Sequence, residues 1–247
     1  MTRANPDWRH LAVRSEAGVT EVTLHSEGGP LRWNMAVGLE LAECLGRLGE
    51  DLGTKAIILT GTGDSFCARL DVASFAGASW QSIWAMEQRL LNRMMELNTM
   101  VVAAINGPVA IHSDVPLLAD FVLACPEAEI SDRYHFEKNV VPGDGVQLVW
   151  GSLFGSSRAG YFLLTGARIA AQEAHKLGAV HELHSRDDLL PRARQLAAEI
   201  ATKPAALLAY TKASLRLDER RHFRADLSHS LALQGLGVHA ARSAAEQ

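Results

Sequence analysis

Two short runs, Ala56-Ile-Ile-Leu-Thr60 and Met100-Val-Val-Ala-Ala-Ile105, constrain this chain more than anything else in it. Neither alternates apolar with polar residues, so neither describes a strand with one wet face. Uninterrupted apolar strands of this length belong to parallel sheets buried on both sides by helices. Between the two runs lies Ser79 to Leu97, where Ile83, Met86, Leu90, Leu91, Met94 and Met95 recur at helical spacing. A helix linking two buried strands is the crossover that parallel pairing requires. The expected class is therefore α/β.

The remaining segments fit that plan. His10 to Arg14 and Val19 to His25 alternate around Glu16-Ala17-Gly18 and read as a β-hairpin. Val37, Leu41, Leu45 and Leu48 mark a helix over Val37 to Leu52. Val115 to Asp120 reads as a short helix, Phe121 to Cys125 as a third buried strand, and Ala128 to Ser131 as a brief fourth. Beyond Trp150 the pattern turns helical: Ser157 to Leu164, Ala171 to Leu177, Asp187 to Thr202, and Ala205 to about Ala241, with Ala179 to Leu183 as a strand among them. No stretch rich in Pro, Gly or Ser separates two units. The expected organisation is a core over residues 1–200 with a helical region, 201–247, in the same domain, a length of 247 residues that one large domain accommodates.

Charge and cysteine content remove several function classes. Net charge is −4 and no run of Lys or Arg forms a nucleic-acid footprint. Arg216 to Arg224 is interrupted by Asp218 and Glu219 and reads as a solvated helix face. No window approaches a membrane span, and Met1 to Trp8 lacks the apolar core of a signal peptide. Cys44, Cys67 and Cys125 are an odd number without metal spacing, so free buried thiols and a cytoplasmic location are expected.

The stretch least explained by packing is Glu129 to Trp150. His135 follows a strand end, and Asp144 sits in the turn Pro142-Gly-Asp-Gly145. Glycines let such a turn fold back closely. A carboxylate set against an imidazole raises its basicity, as a general base requires. The competing reading is an exposed turn and an ordinary surface histidine.

A set of motifs decides between them. Ala56-Ile-Ile-Leu-Thr-Gly-Thr-Gly-Asp-Ser-Phe-Cys-Ala-Arg-Leu-Asp71, Val102-Ala-Ala-Ile-Asn-Gly107, Val141-Pro-Gly143, Leu164-Thr-Gly166 and Ala171-Gln-Glu-Ala-His-Lys-Leu-Gly-Ala-Val-His-Glu182 resemble, in order, the crotonase (enoyl-CoA hydratase/isomerase) superfamily. The resemblance implies a spiral of ββα repeats and a C-terminal helical region that assembles as a homotrimer or homohexamer.

Departures from the superfamily pattern narrow the chemistry. The loop expected to supply one oxyanion-binding N–H reads Cys67-Ala-Arg-Leu-Asp71, placing Ala68 at the N–H and Arg69 where glycine is usual. The second reads Asn106-Gly-Pro-Val-Ala-Ile-His-Ser-Asp114, with His112 near the second oxyanion glycine. Of the acidic pair of hydratases, one position falls on His135 and the other near Asp114 or Val115. This pattern is similar to the β-diketone hydrolase branch typified by 6-oxocamphor hydrolase. That resemblance implies catalytic roles for His112, His135 and Asp144, a substrate-binding role for Trp33, and places Gln234 where the branch carries a carboxylate.

The reaction so implied is retro-Claisen cleavage: water attacks one carbonyl of a β-diketone, the C–C bond breaks, and an enolate leaves. It needs a base and oxyanion donors, and no cofactor. A small-molecule diketone is the expected partner, with neither nucleic acid nor membrane. Two alternatives remain open: an acyl-CoA hydratase, isomerase or thioesterase using the same histidines, and a non-catalytic binding protein. Gly61-Thr-Gly63 lacks the third glycine of a dinucleotide loop, and His181-Glu-Leu-His184 has the wrong spacing for a zinc motif.

Overall fold

The computed structural model describes residues 6–245. Met1 to Asn5, part of the segment read as lacking a signal core, and Glu246-Gln247 lie outside them. In chain order the elements are β1 (Leu11–Glu16), β2 (Val19–Leu24), β3 (Arg32–Trp33), α1 (Met35–Glu50), β4 (Ala56–Gly61), β5 (Arg69–Leu70), α2 (Trp80–Glu96), β6 (Met100–Ile105), α3 (Asp114–Leu117) and β7 (Phe121–Ala124). Then come β8 (Glu129–Ile130), α4 (Arg133–Lys138), α5 (Val146–Phe154), α6 (Ser156–Thr165), β9 (Ile169–Ala170), α7 (Ala171–Lys176), β10 (Glu182–Leu183), α8 (Arg186–Ala201), α9 (Ala205–Leu215) and α10 (Leu217–Ala245).

The hairpin β1–β2 pairs antiparallel with Leu11 opposite Leu24. From β2 onward the sheet is parallel, in the order β1-β2-β4-β6-β7-β10. β4 and β6 are buried at every residue, as their unalternating composition requires. α8 lies across β2, β4, β6 and β7, while α1 packs on α2 and α2 on α10. One core cluster runs from Leu11 to Leu231, so Phe223, Leu227 and Leu231 of the last helix belong to it.

Asn106 and Gly107 hold the carboxyl ends of β4 and β6 together. Asn106 Nδ2 donates to Gly63 O at 2.9 Å and Ser65 O at 3.2 Å, and its Oδ1 accepts from Gly61 N at 3.2 Å. A Cβ on Gly107 would collide with Asp64 O, so only glycine permits the loops to touch. Parallel bridges then join Cys67 to Val109 and Val109 to Ile130. Three loops are thereby laid side by side at the carboxyl ends of the parallel strands, where α/β folds place ligands.

Several expectations are corrected. His135 stands on α4, in a region read as loop, and α5 follows where no helix was expected. Ala205 to Ala241 is two helices rather than one, broken at Arg216. Lys212 Nζ reaches back to Asp120 Oδ2 at 2.7 Å and Thr99 O at 2.8 Å, and Arg216 Nε lies 3.3 Å from Asp120 Oδ1. Nor is Arg216 to Arg224 a simple solvated face, because Arg220 Nε donates to Met95 O at 2.7 Å and ties α10 to the end of α2. All three cysteines are free and buried. Among the described residues no helix is long and apolar enough to cross a membrane.

Candidate active site

His135 is buried on α4 between two carboxylates. The carboxylate of Asp132, the residue capping α4, accepts from Nδ1 at 2.7 Å, and Asp144 Oδ2 lies 3.3 Å from Nε2. Burial alone would push the imidazole pKa down, but the Asp144 charge and the contact with Asp132 overcome it and hold it well above the usual value. Burial likewise works against an ionised Asp144, yet His135 holds its pKa down to about 2. The histidine–aspartate pair expected from the sequence is assembled. Asp132 is the partner that sequence reading missed, and it is the one that fixes the tautomer.

Asp144 reaches His135 because its turn is wedged between two helices. A Cβ on Gly145 would meet Leu91 Cδ1 of α2 at 2.5 Å, and one on Gly143 would collide with Ser230 O of α10. Gly145 also takes a φ of +105°, open to glycine at little cost. Gly143→Ala must therefore shift the turn against a backbone oxygen, costing about 1–3 kcal/mol of stability. It should also lower activity at least about tenfold through a displaced Asp144. Gly151→Ala, with open space around it, is the control. Denaturant melts and turnover assays check both, and a Gly143→Ala protein matching wild type would remove the wedge from the account.

Gln234 of α10 is buried with its Nε2 3.1 Å from His135 Nε2. When that ring nitrogen is unprotonated, the amide N–H donates to it. When the ring is imidazolium, the amide must turn and present its oxygen. The glutamine thus reaches the pocket at the position where the resemblance implies a carboxylate.

His112, on the loop entering α3, stands beside Glu87 and Asp114. Its Nε2 is 3.5 Å from Glu87 Oε1 and its Nδ1 3.5 Å from Asp114 Oδ1. Its backbone φ is +49°, in the left-handed region that favours glycine, near where the resemblance implies an oxyanion glycine. A histidine there costs on the order of 1–3 kcal/mol. Burial opposes its charging, but the carboxyl groups of Glu87, Asp114 and Asp144 outweigh it and hold its pKa above the ordinary histidine value. Trp33 stacks on the imidazole, with ring centroids 4.2 Å apart at 33°.

A cavity of about 160 Å³ joins these groups. Its polar wall is Glu87, His112, Asp132, His135, Asp144 and Gln234, and its apolar wall includes Leu70, Trp80, Ile83, Ile111 and Val140. Trp33 backs His112 rather than lining the cavity, and its buried Nε1 has no hydrogen-bond partner among the described residues. Ala68 is half-buried and Arg69 exposed, and neither lines the cavity; Arg69 instead pairs through its backbone with Arg32. A larger concavity of about 570 Å³ lies between β1–β2 and α8, but Arg14 there pairs with Glu16 and Arg194 with Glu21 in open surroundings. Of the two, only the smaller is lined by buried acid–base groups.

Paired imidazoles and carboxylates buried around one cavity at parallel strand ends are the equipment of an enzyme working by proton transfer. The profile of the enoyl-CoA hydratase/isomerase family matches residues 14–237, and the chain belongs to that family, within the crotonase superfamily. A β-diketone hydrolase from the cyanobacterium Anabaena sp. PCC 7120, solved bound to (S)-3-oxocyclohexyl acetic acid, superposes with a TM-score of 0.92 at 28% identity, covering 97% of this chain and 100% of that one. An enoyl-CoA hydratase/isomerase from Mycobacterium paratuberculosis superposes with a TM-score of 0.86 at 26% identity, covering 93% of each. By sequence, the chain is 27% identical over 212 residues to the 1,2-epoxyphenylacetyl-CoA isomerase of Escherichia coli K12, covering 83% of this chain and 80% of that protein. It is 32% identical over 190 residues to a putative enoyl-CoA hydratase of Thermus thermophilus, covering 74% of each.

Proposed function

We propose that this enzyme cleaves the C–C bond between the two carbonyls of a cyclic β-diketone with water, giving a keto acid. The observation that carries the reading is the pair of imidazoles on one cavity, each flanked by two carboxylates, with His112 at a backbone position that suits glycine. In the proposed reaction the unprotonated His135 Nε2 takes a proton from water as the oxygen adds to one carbonyl. Asp132 holds Nδ1–H, and Asp144 stabilises the imidazolium that forms. The protonated His112 donates to the oxygen of the other carbonyl, which becomes the enolate oxygen when the C–C bond breaks. His135 returns its proton to the carbon released, so one dione and one water give one keto acid.

The similarity to the Anabaena β-diketone hydrolase supports this reading. So does the size of the cavity, about 160 Å³, below the roughly 300–1,000 Å³ of ordinary ligand pockets and suited to a compact ring. The CoA-thioester names of the sequence relatives favour the alternative, a CoA-thioester hydratase or isomerase. A panel of 1,3-diones blocked at the central carbon, assayed beside crotonyl-CoA by mass spectrometry, separates them. Gain of one water by a dione is expected. Hydration of crotonyl-CoA with every dione untouched would overturn the proposal.

The same reading has residues 201–247 in one domain with the core, a cytoplasmic location, and a homotrimer or homohexamer. In the sequence, Val238 and the Ala-rich run Ala240 to Ala245 read as extending past the intrachain core and so as an assembly surface; Val238 instead lines the cavity. Of the Ala240 to Ala245 run, the side chains of Arg242, Ala244 and Ala245 lie outside the described residues. The exposed Leu207, Tyr210, Leu215, Leu233 and Leu236 of α9 and α10 support assembly instead. Light scattering should report three or six chains, and a monomer at micromolar concentration would contradict it.

A further inference from the structure

Glu87 lines the cavity, yet the reaction above gives it no task. It stands on the buried face of α2 among Met86, Leu90, Leu91 and Met94, where packing alone calls for an apolar side chain. Only 3% of it is exposed; Oε1 lies 3.5 Å from His112 Nε2, and Oε2 is buried with no hydrogen-bond partner among the described residues. The polar groups gathered around this part of the cavity are His112 from the loop before α3, Asp114 from α3, Asp132 and His135 from α4, Asp144 from the turn before α5, and the uncharged Gln234 from α10. An ionised Glu87 would be the fourth carboxylate against two imidazoles. Burial, helped by Asp144 and Asp114, outweighs the pull of both histidines and raises its pKa to about 8. With Glu87 neutral, Asp114 and Asp144 remain to hold the charge on His112, and Glu87 Oε2 is left with no hydrogen-bond partner among the described residues.

We propose that Glu87 is a catalytic residue whose neutral carboxyl donates its O–H to an oxygen of the bound dione, beside His112, so that the site selects substrates carrying two carbonyl oxygens. The inference rests on the diketone reading and deepens it. A neutral acid is a donor that a buried site tolerates, and its hydrogen bond strengthens as charge collects on the enolate oxygen. No proton need leave Glu87, so its donor role is the same on every turnover.

Difference infrared spectroscopy on the full chain tests this, with 2,2-dimethylcyclohexane-1,3-dione as probe. Wild type at neutral pH should show a carboxylic-acid C=O band that is absent from Glu87→Gln. That band should move to lower frequency when the dione is added and fade as pH passes about 8. Glu87→Ala should lower kcat/KM about 10²-fold, the worth of one preorganised donor. Glu87→Gln, still a neutral donor, should recover most of that loss and lose the alkaline decline of wild type. Cleavage of the dione by wild type with the band absent or unmoved would overturn the Glu87 inference and leave the proposed function standing. A dione neither bound nor cleaved by wild type would overturn both.

Discussion

His135→Ala is expected to lower kcat/KM for dione cleavage about 10²- to 10⁴-fold, the usual range for a positioned acid–base group. The ring must be unprotonated to accept a proton from water. Its pKa is held well above the ordinary histidine value, so activity should rise with pH through that elevated pKa. The two flanking aspartates should separate in a pH–rate profile. Asp132 accepts from Nδ1 at 2.7 Å, so Asp132→Asn removes the group that fixes the tautomer and should lower the plateau. Asp144 sits at the other nitrogen as the dominant counter-charge. Asp144→Asn should therefore lower the His135 pKa and carry the acidic limb to lower pH. Each double variant with His135→Ala should be little worse than His135→Ala alone, because groups acting as a unit are non-additive. A His135→Ala protein within about threefold of wild type would end the base assignment. An unmoved acidic limb in Asp144→Asn would leave His135 in place and remove Asp144 as its counter-charge.

His112→Ala is expected to lower kcat about 10²- to 10³-fold, as removal of a preorganised oxyanion donor does. The variant should at the same time be no less stable than wild type. Alanine keeps the Cβ at the strained φ of +49°, but the variant no longer has to bury an imidazolium. His112→Gly should go further and raise stability, since glycine relieves the backbone conformation outright. Loss of activity with gain of stability marks a residue kept for function rather than for packing. Melting curves and steady-state rates on the two variants decide it. Full activity in His112→Gly would return the oxyanion role to backbone N–H groups alone.

Legibility in the sequence followed periodicity. β4, β6 and β7 were readable because burial on both faces leaves runs without polar residues, and α1 and α2 because their stripes repeat over several turns. The stretch between β8 and α6 was not readable. Pro142, Gly143 and Gly145 dominate it; that turn takes its place against α2 and α10, and the short helices α4 and α5 around it pack on α6. With α4 unseen, the spacing of Asp132 and His135 on one helical face had no meaning, so the orienting carboxylate was passed over. Glu87 left a signal that was available: it lies four residues after Ile83 and three before Leu90, inside the apolar stripe of α2. The break at Arg216 left none, since Leu215 and Leu217 continue the helical pattern and the interruption comes from Lys212 and Arg216 meeting the distant Asp120.

The claim that water, activated at His135, cuts a carbon–carbon bond is tested most directly by running the reaction in heavy-oxygen water. A dione blocked at its central carbon should yield a keto acid carrying one heavy oxygen, located by fragment mass spectrometry in the new carboxylate and absent from the ketone at the moment of formation. His135→Ala should form this product at the slow rate given above. Unchanged dione, together with label entering the hydroxyl of 3-hydroxybutyryl-CoA when crotonyl-CoA is supplied instead, would contradict the account.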